Sequence, residues 1–333
     1  MKNSIYILVF LILISCGGSK NLIEKDASFS EKSYVAKESG EVIPSDYIFP
    51  KKESFKVLSW NVEHFVDSFD DPYIDSKREN SPDSLMNNKV ANLVTALKKI
   101  DADVVVLQEF ESAKFLRSIA DENLQNMGYV YFADVPSHGW YMNVVVMSKF
   151  PLGIIYGYGN VTTPLLEYKN EEGQLETQNT LNTRMWSIEV YPSSDYNFLL
   201  TGVHLKAGRG ERNIAMRKGQ INFLKQQYKR FLKEDKNKNI LVVGDFNSVQ
   251  GSEEINLFLN EKVKREKFID PLPETVMTHT SDDPKRRLDY ILMNTNMYKE
   301  YKENSAEVPQ LFVPKKMREI SDHLPVTTTF IIK

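Results

Sequence analysis

The chain has one cysteine, Cys16, in 333 residues, so it cannot close an internal disulfide and its stability must rest on a packed core. At 41% hydrophobic residues, the material for such a core is present. A large excess of one charge is missing too: 42 Lys and Arg against 45 Asp and Glu leave a formal net charge of -3. Bulk charge therefore gives no sign of strong nonspecific binding to long nucleic acid, although it leaves room for a local basic patch. There is no HExxH pair, no Walker loop and no cysteine-based zinc motif, and "GYGNVT" from Gly157 lacks the third glycine of a dinucleotide loop. No internal repeat is present. Long apolar runs are scarce: residues 5–14 form one, broken only by Tyr6, and it is short for a bilayer span.

That run follows Lys2 and ends in Leu13-Ile14-Ser15-Cys16, with Gly17 and Gly18 after it. The pattern resembles the lipobox of bacterial lipoproteins, in which cleavage precedes the cysteine and the thiol is lipidated. An ordinary export signal that ends near a cysteine is the alternative. The resemblance implies a signal peptide over 1–15, a lipidated Cys16 with a Ser-, Glu- and Lys-rich flexible tether over 16–53, and a folded domain over 54–333. The expected protein is exported, membrane-anchored at the periplasmic face or cell surface, and monomeric. Gly17 is not the Asp associated with inner-membrane retention in enteric bacteria.

Within the folded part, apolar runs at 55–62, 104–107, 129–132, 143–148, 152–158, 184–191, 197–204, 240–244, 288–293 and 326–331 read as strands. Helical spacing marks 88–100, 111–127 and 212–231. Many strands with few crossover helices predict an α/β fold of mixed sheets covered by helices. Two polar stretches, 66–87 and 160–183, read as insertions. Asp67, Asp70, Asp71 and Asp75 in the first lack the glycine and terminal glutamate of an EF-hand, so a solvated acidic loop is expected there.

Polar residues recur where the strand-like runs end. "LVVGDFNS" closes with Asp245 and Asn247, which share a face on an extended segment. A carboxylate there can hold or activate a water and a carboxamide can donate to a phosphate-like oxygen, yet Asp and Asn also close strands by bonding their own backbone. "SWNVEH" carries Asn61, "LQEF" Glu109, "TGVHLKAG" His204, "RRLDYIL" Asp289, and "ISDHLPV" Asp322 and His323. Each alone has a structural reading; together they mark a site where sheet ends meet loops.

In this order the motifs "WNV", "QE", "HLK", "GDFN", "LDYI" and "SDHLPV" resemble the endonuclease/exonuclease/phosphatase superfamily, the DNase I-like fold, over residues 55–333. The resemblance implies a four-layer sandwich of two mixed β-sheets flanked by helices, with the active site at one edge. It implies that Glu109 is the principal ligand of Mg²⁺ or Mn²⁺, with Asn61 and Asp322 placing that metal or its waters. His323 would stand beside the scissile phosphate, held as imidazolium by Asp289. Asp245 would orient or deprotonate the attacking water, Asn247 would hold a nonbridging oxygen, and His204 would be the second imidazole and the candidate acid for the leaving oxygen. Arg184 either lies where members often carry an arginine facing phosphate or is an arginine on a surface strand. Lys206 and Arg217, with Arg209 and Arg212, form a basic cluster that either holds substrate phosphate or is a solvated helix start. Asn143 either borders the site or serves as a turn or cap. Trp140 and Tyr141 either stack on a base or pack in the core.

Three functions remain open on these residues. The first is a metal-dependent phosphodiesterase or nuclease acting on nucleic acid or nucleotides. The second is a phosphatase or sphingomyelinase-like phospholipase C acting on inositol phosphates or lipids, which a membrane anchor would bring within reach. The third is a non-catalytic surface binding protein, against which the complete set of acid, base and metal residues argues. Abasic-site endonucleases usually show a tyrosine where "HLK" stands here. The further carboxylate that buttresses the second histidine in DNase I-type enzymes has no assignable counterpart, and their disulfides are absent.

Overall fold

The computed structural model describes residues 34–36, 42–44 and 47–332, apart from 136, 138, 261 and 262. The lipobox and Cys16 lie outside the described residues. Within the expected tether, β1 (Tyr34–Ala36) and β2 (Val42–Pro44) pair antiparallel. The chain then runs through β3 (Ser54–Phe65), α1 (Lys77–Asn80), α2 (Met86–Ile100), β4 (Val104–Phe110) and α3 (Ala113–Asn123). Strands β5 (Tyr131–Asp134), β6 (Asn143–Ser148), β7 (Leu152–Gly157), β8 (Thr163–Lys169) and β9 (Leu175–Gln178) follow. After β10 (Met185–Ser193) and β11 (Tyr196–His204) comes the long α4 (Glu211–Glu234). The chain closes with β12 (Ile240–Asp245), α5 (Glu253–Leu259), β13 (Phe268–Ile269), β14 (Asp289–Asn294), α6 (Pro314–Arg318) and β15 (Val326–Ile331).

Two mixed sheets result. One has the order β15-β3-β4-β6-β5 and the other β13-β14-β12-β11-β10-β7. Each is antiparallel except for one central parallel pair, β3 with β4 and β11 with β12. The β4 run Val104–Leu107 is apolar throughout because both of its faces are covered. Val104 and Val106 point between the sheets, against Trp186, Phe198 and Val243. Val105 and Leu107 point outward, under Leu93 and Leu97 of α2 and Leu116 of α3. On the far side, Val242 and Leu292 lie under Ile221, Leu224 and Tyr228 of α4. These are the four layers the sequence implied, helix, sheet, sheet, helix.

Several elements depart from the sequence reading. The polar stretch 160–183 carries the β8–β9 hairpin, which packs on α4 through buried Leu165 and Gln178. Gln178 donates to the Met216 carbonyl at 2.8 Å and accepts from Gln220 at 2.9 Å. A hairpin seated through amides shows little apolar alternation, so it reads as a loop. The helix expected over 111–127 is shorter: Ser112 caps it by accepting from the Phe115 N–H at 3.0 Å, and a separate 3-10 turn, Gln125–Met127, follows. Helix α5 begins at the Ser252 cap in a stretch where no helix was expected.

Candidate active site

The site follows from strand direction. In a parallel pair both C-terminal ends reach the same edge, so β3 and β4 deliver Asn61 and Glu109 together, and β11 and β12 deliver His204 and Asp245 in register. Strand β14 runs antiparallel to β12, so its first residue, Asp289, pairs with Asp245. Strand β15 runs antiparallel to β3, so the residues before it, Asp322 and His323, arrive at that same edge. Along the intersheet face each strand changes from apolar to polar as it nears the edge: Val57, Ser59, Asn61 on β3; Leu241, Val243, Asp245 on β12; Met293, Ile291, Asp289 on β14.

Glu109 is the exception to simple alternation. Val105 and Leu107 face the helices, and strict period two would send Glu109 after them. A bulge between Gln108 and Phe110, with Glu109 at φ +58°, adds one residue and turns its carboxylate to the edge. There it accepts from Asn61 Nδ2 at 3.1 Å and from the His64 N–H at 3.1 Å.

The carboxylates and histidines form a connected set. Asn61 Nδ2 also donates to Asp245 Oδ2 at 3.2 Å, so one amide spans Glu109 and Asp245. His204 Nε2 lies 3.7 Å from Glu109 and 3.8 Å from Asp245. His323 Nδ1 bonds Asp289 Oδ2 at 2.8 Å, while its Nε2 lies 3.8 Å from both Asp245 and Asp322. Asn247, at φ +49°, donates its backbone N–H to Asp245 Oδ1 at 2.7 Å and its amide to Asp245 Oδ2 and the Leu205 carbonyl. The turn reading of Asp245 and Asn247 therefore coexists with their place at the edge. Both amide protons of Asn247 are committed inside the protein.

Charge follows from these neighbours. Burial disfavours the His323 imidazolium, but Asp289, Asp245 and Asp322 outweigh it and raise the pKa to about 10. Burial dominates at His204 and lowers its pKa, against Glu109 and Asp245. Burial raises the Asp245 carboxyl, only partly offset by His323. At Glu109 burial also pushes upward, but His204, His64 and Asn61 together hold it below the usual range. At Asp322 the upward push of burial is outweighed by His279, His323 and Arg318, which hold it at about 2. The neighbours thus favour the imidazolium form at His323 and the neutral form at His204.

These residues open onto a cleft of about 720 Å³ lined by Glu109, His204, Asp245, Asn247, His279, Arg286, Asp322 and His323 among others. A cavity of about 630 Å³ near Tyr47, Asp101 and Lys149 lies at the other end of β4, where Lys52 and Lys149 pair with Asp103. No histidine lines it and Asp101 is its one carboxylate, so the first cleft, with its histidines and several carboxylates, is the candidate site.

Not every residue expected at the site has its polar groups there. Arg217 is buried and clamps a loop, bonding Glu254 at 2.8 Å and the carbonyls of Lys206 and Gly208. The Lys206 side chain does not line the cleft. The Asn143 amide donates to the Glu111 and Trp140 carbonyls, which is the cap role. Arg184 makes no ion pair among the described residues, but feels the charges of Glu109 and Asp245. Tyr141 packs with Val66 and Ile74, and its hydroxyl meets His64 Nδ1 at 2.9 Å.

The sequence reading missed His64 and His279. His64 Nδ1 is 3.7 Å from Glu109, and His279 Nε2 is 3.4 Å from Asp322 while its Nδ1 meets Arg286 at 2.9 Å. The signal was scarcity: four of the chain's five histidines, His64, His204, His279 and His323, gather at this edge.

Among the described residues, two groups of side chains bring three donor atoms within 4.8 Å of one another: His279, Asp322 and His323; and Asp245, Asp289 and His323. In the second, Asp289 already holds His323 Nδ1, which fits an oriented imidazole better than a metal ligand. Glu109 offers an ionised carboxylate that meets no Lys or Arg ion pair among the described residues, and Asp322 offers a second at low pKa. Ionised oxygen donors of this kind fit a hard divalent cation.

Fold and site together define a hydrolase of phosphoric esters. The chain belongs to the Endonuclease/Exonuclease/phosphatase family, whose model matches residues 58–323. Its fold is similar to an endonuclease/exonuclease/phosphatase from Beutenbergia cavernae, at TM-score 0.55 and 18% identity over 84% of this chain and 72% of that one. The human Nocturnin catalytic domain with bound sulfate aligns at TM-score 0.54 and 17% identity, over 85% of this chain and 96% of that one. Danio rerio TDP2, complexed with a single-strand DNA product, aligns at TM-score 0.54 and 15% identity, over 84% of this chain and all of that one (100%). No curated protein sequence matches the chain.

Proposed function

We propose that this protein is a Mg²⁺- or Mn²⁺-dependent phosphodiesterase that hydrolyses nucleic acid or nucleotides by in-line attack of water. One observation carries the reading: Asp289, His323, Asp245, His204 and Glu109 meet at one sheet edge, with opposite protonation states favoured for the two imidazoles. The DNA product bound to zebrafish TDP2 supports a nucleic acid or nucleotide as substrate.

Glu109 and Asp322 would hold the cation, and Asn61 would fix Glu109 relative to Asp245. When bound, the cation supplies Lewis-acid stabilisation of negative charge on phosphoryl oxygen. His323, positive and oriented by Asp289, offers Nε2–H to a nonbridging oxygen as the pentacoordinate transition state gathers charge. Asp245, made more basic by burial, accepts the proton of the attacking water. His204, favoured as the neutral ring, acts as an N–H donor toward phosphoryl oxygen, and the leaving oxygen takes its proton from solvent. Arg184 adds positive charge behind Glu109 and Asp245. At the N-terminus, we infer lipidation of Cys16 and anchoring of the protein to a membrane of an exporting bacterium.

The test is a substrate panel on the purified protein: plasmid DNA, RNA, dinucleotides, sphingomyelin and inositol phosphates, each with Mg²⁺, Mn²⁺ or EDTA. Cation-dependent cleavage of the nucleic acids or dinucleotides is the expected result. Release of choline phosphate or inorganic phosphate alone would move the assignment to the lipid or phosphatase reading, and binding without turnover would make it a binding protein.

A further inference from the structure

Two arginines stand side by side in "KRRLDYIL", just before β14, and they face opposite ways. Arg287 is buried, bonding Asp270 at 2.6 Å and the Pro273 carbonyl at 2.9 Å. Arg286 is half-buried and lines the cleft with Leu288. Among the described residues its guanidinium meets no carboxylate and bonds one side chain, His279, whose Nδ1 accepts at 2.9 Å. The nearby acids are engaged elsewhere: Asp283 pairs with Lys285 at 2.7 Å, and Asp322 lies 3.4 Å from His279 Nε2. A guanidinium only donates, so the His279 ring proton sits on Nε2, toward Asp322. The backbone holds this arrangement. His279 and Arg286 exchange N–H to carbonyl bonds of 2.9 Å each, and His279 pairs with His323 on its other side. His279 is thus the middle of three segments, and two strand spacings set the Arg286 and His323 backbones about 9–10 Å apart.

We propose that Arg286 is a specificity residue that binds a second phosphate of the substrate, one nucleotide away from the scissile one. This rests on the phosphodiesterase reading above, in which His323 faces the scissile phosphoryl oxygen. Arg286 stands two rows along the same wall, beyond His279, so the phosphate it meets is the next one in the chain. The chemistry fits an anion of that kind. A guanidinium stays charged and offers paired N–H groups in a plane that matches phosphate oxygens. One edge of the plane is fixed by His279, and the rest has no carboxylate to satisfy it. A substrate with a single phosphodiester leaves that cation unpaired; a substrate with a flanking phosphate pairs it. Arg287, its neighbour in sequence, cannot serve in this way because Asp270 already neutralises it inside the protein.

The experiment compares kcat/KM of the purified chain with Mn²⁺ on three thymidine dinucleotides: TpT, and TpT carrying a terminal phosphate at its 5′ or its 3′ end. In parallel, calorimetry compares binding of thymidine 3′,5′-bisphosphate with binding of the two monophosphates. A terminal phosphate at one end should raise kcat/KM at least about tenfold, and the bisphosphate should bind at least about tenfold tighter than either monophosphate, as one charge-assisted pair provides. Both preferences should collapse in Arg286→Gln and persist in Lys285→Gln, which removes an exposed charge one residue away. If Arg286 only braces His279, Arg286→Gln will slow the three dinucleotides alike and leave the preference standing, which overturns the proposal. Absence of any preference in the unmodified protein overturns it too, as does an equal loss in Lys285→Gln, the mark of a general charge effect. A bisphosphate preference that depends on Arg286, without turnover of any dinucleotide, would keep the phosphate subsite and remove the nuclease reading. Turnover without preference would do the reverse.

Discussion

His323 has three carboxylates around it, and their joint effect exceeds the cost of keeping a cation out of water. Its pKa is raised, so the stabilisation this imidazolium gives the fold is fully present below about pH 6.5 and is lost as pH rises through about 10. In the cation-free protein, ¹⁵N NMR of the His323 ring should therefore show imidazolium through neutral pH. Asp289→Asn should bring its titration down toward the ordinary histidine range; a ring that already titrates there in the unmodified protein would contradict the electrostatics. General acid–base and donor groups of this kind are typically worth about 10²–10⁴-fold. Alanine at His323 or at Asp245 should thus lower kcat by at least about 10²-fold with the fold intact by circular dichroism. His204→Ala should cost a comparable amount, but without removing an alkaline limb from the pH–rate profile, because the ring works in its neutral form.

At the scale of elements, the loop after β11 is held by a buried ion pair. Arg217 of α4 and Glu254 of α5 are both buried, and the guanidinium also ties down the Lys206 and Gly208 carbonyls. Removing one partner strands a buried charge, at a cost of about 3–5 kcal/mol. Arg217→Ala should therefore lower the melting temperature sharply. If the arginine instead gripped substrate phosphate, alanine would raise KM and leave stability nearly unchanged. The contrast marks what was legible in sequence. Asn61, Asp245, Asp289 and His323 could be picked out because they stand where strand-like runs end, in motifs whose order resembles the family; the strand directions that bring them to one edge come from the structure. Mixed sheets covered by helices could be read from many apolar strands with few crossover helices, and the four-layer arrangement from the resemblance of the motifs to the family. Arg217 could not be placed, because a helical arginine looks the same in sequence whether it meets a phosphate or a buried glutamate. Glu109 was picked out by motif, but its direction depends on a bulge and a positive φ that no alternation pattern reveals. The β8–β9 hairpin was hidden because it is seated through Gln178 rather than through apolar residues alone.

At the scale of the molecule, a chain of formal net charge -3 works on a polyanion only if its positive groups are gathered at the cleft. His323, Arg184 and Arg286 at or beside the carboxylate edge are consistent with short or single-stranded substrates more than with long duplexes. Association should accordingly weaken only modestly as salt rises, since few phosphates are engaged. The N-terminal reading belongs at this scale too: mass spectrometry of the mature protein should find the chain beginning at a lipidated Cys16, and an unmodified Cys16 would remove the proposed anchor.

The most direct measurement is turnover of a short single-stranded oligonucleotide by the purified protein, with Mn²⁺ and then EDTA, for the unmodified chain and for the His204→Ala/His323→Ala double variant. The account predicts cleavage that needs the cation and falls by at least about 10²-fold in the variant. Cleavage that survives EDTA, or a double variant that turns over like the unmodified chain, would contradict it.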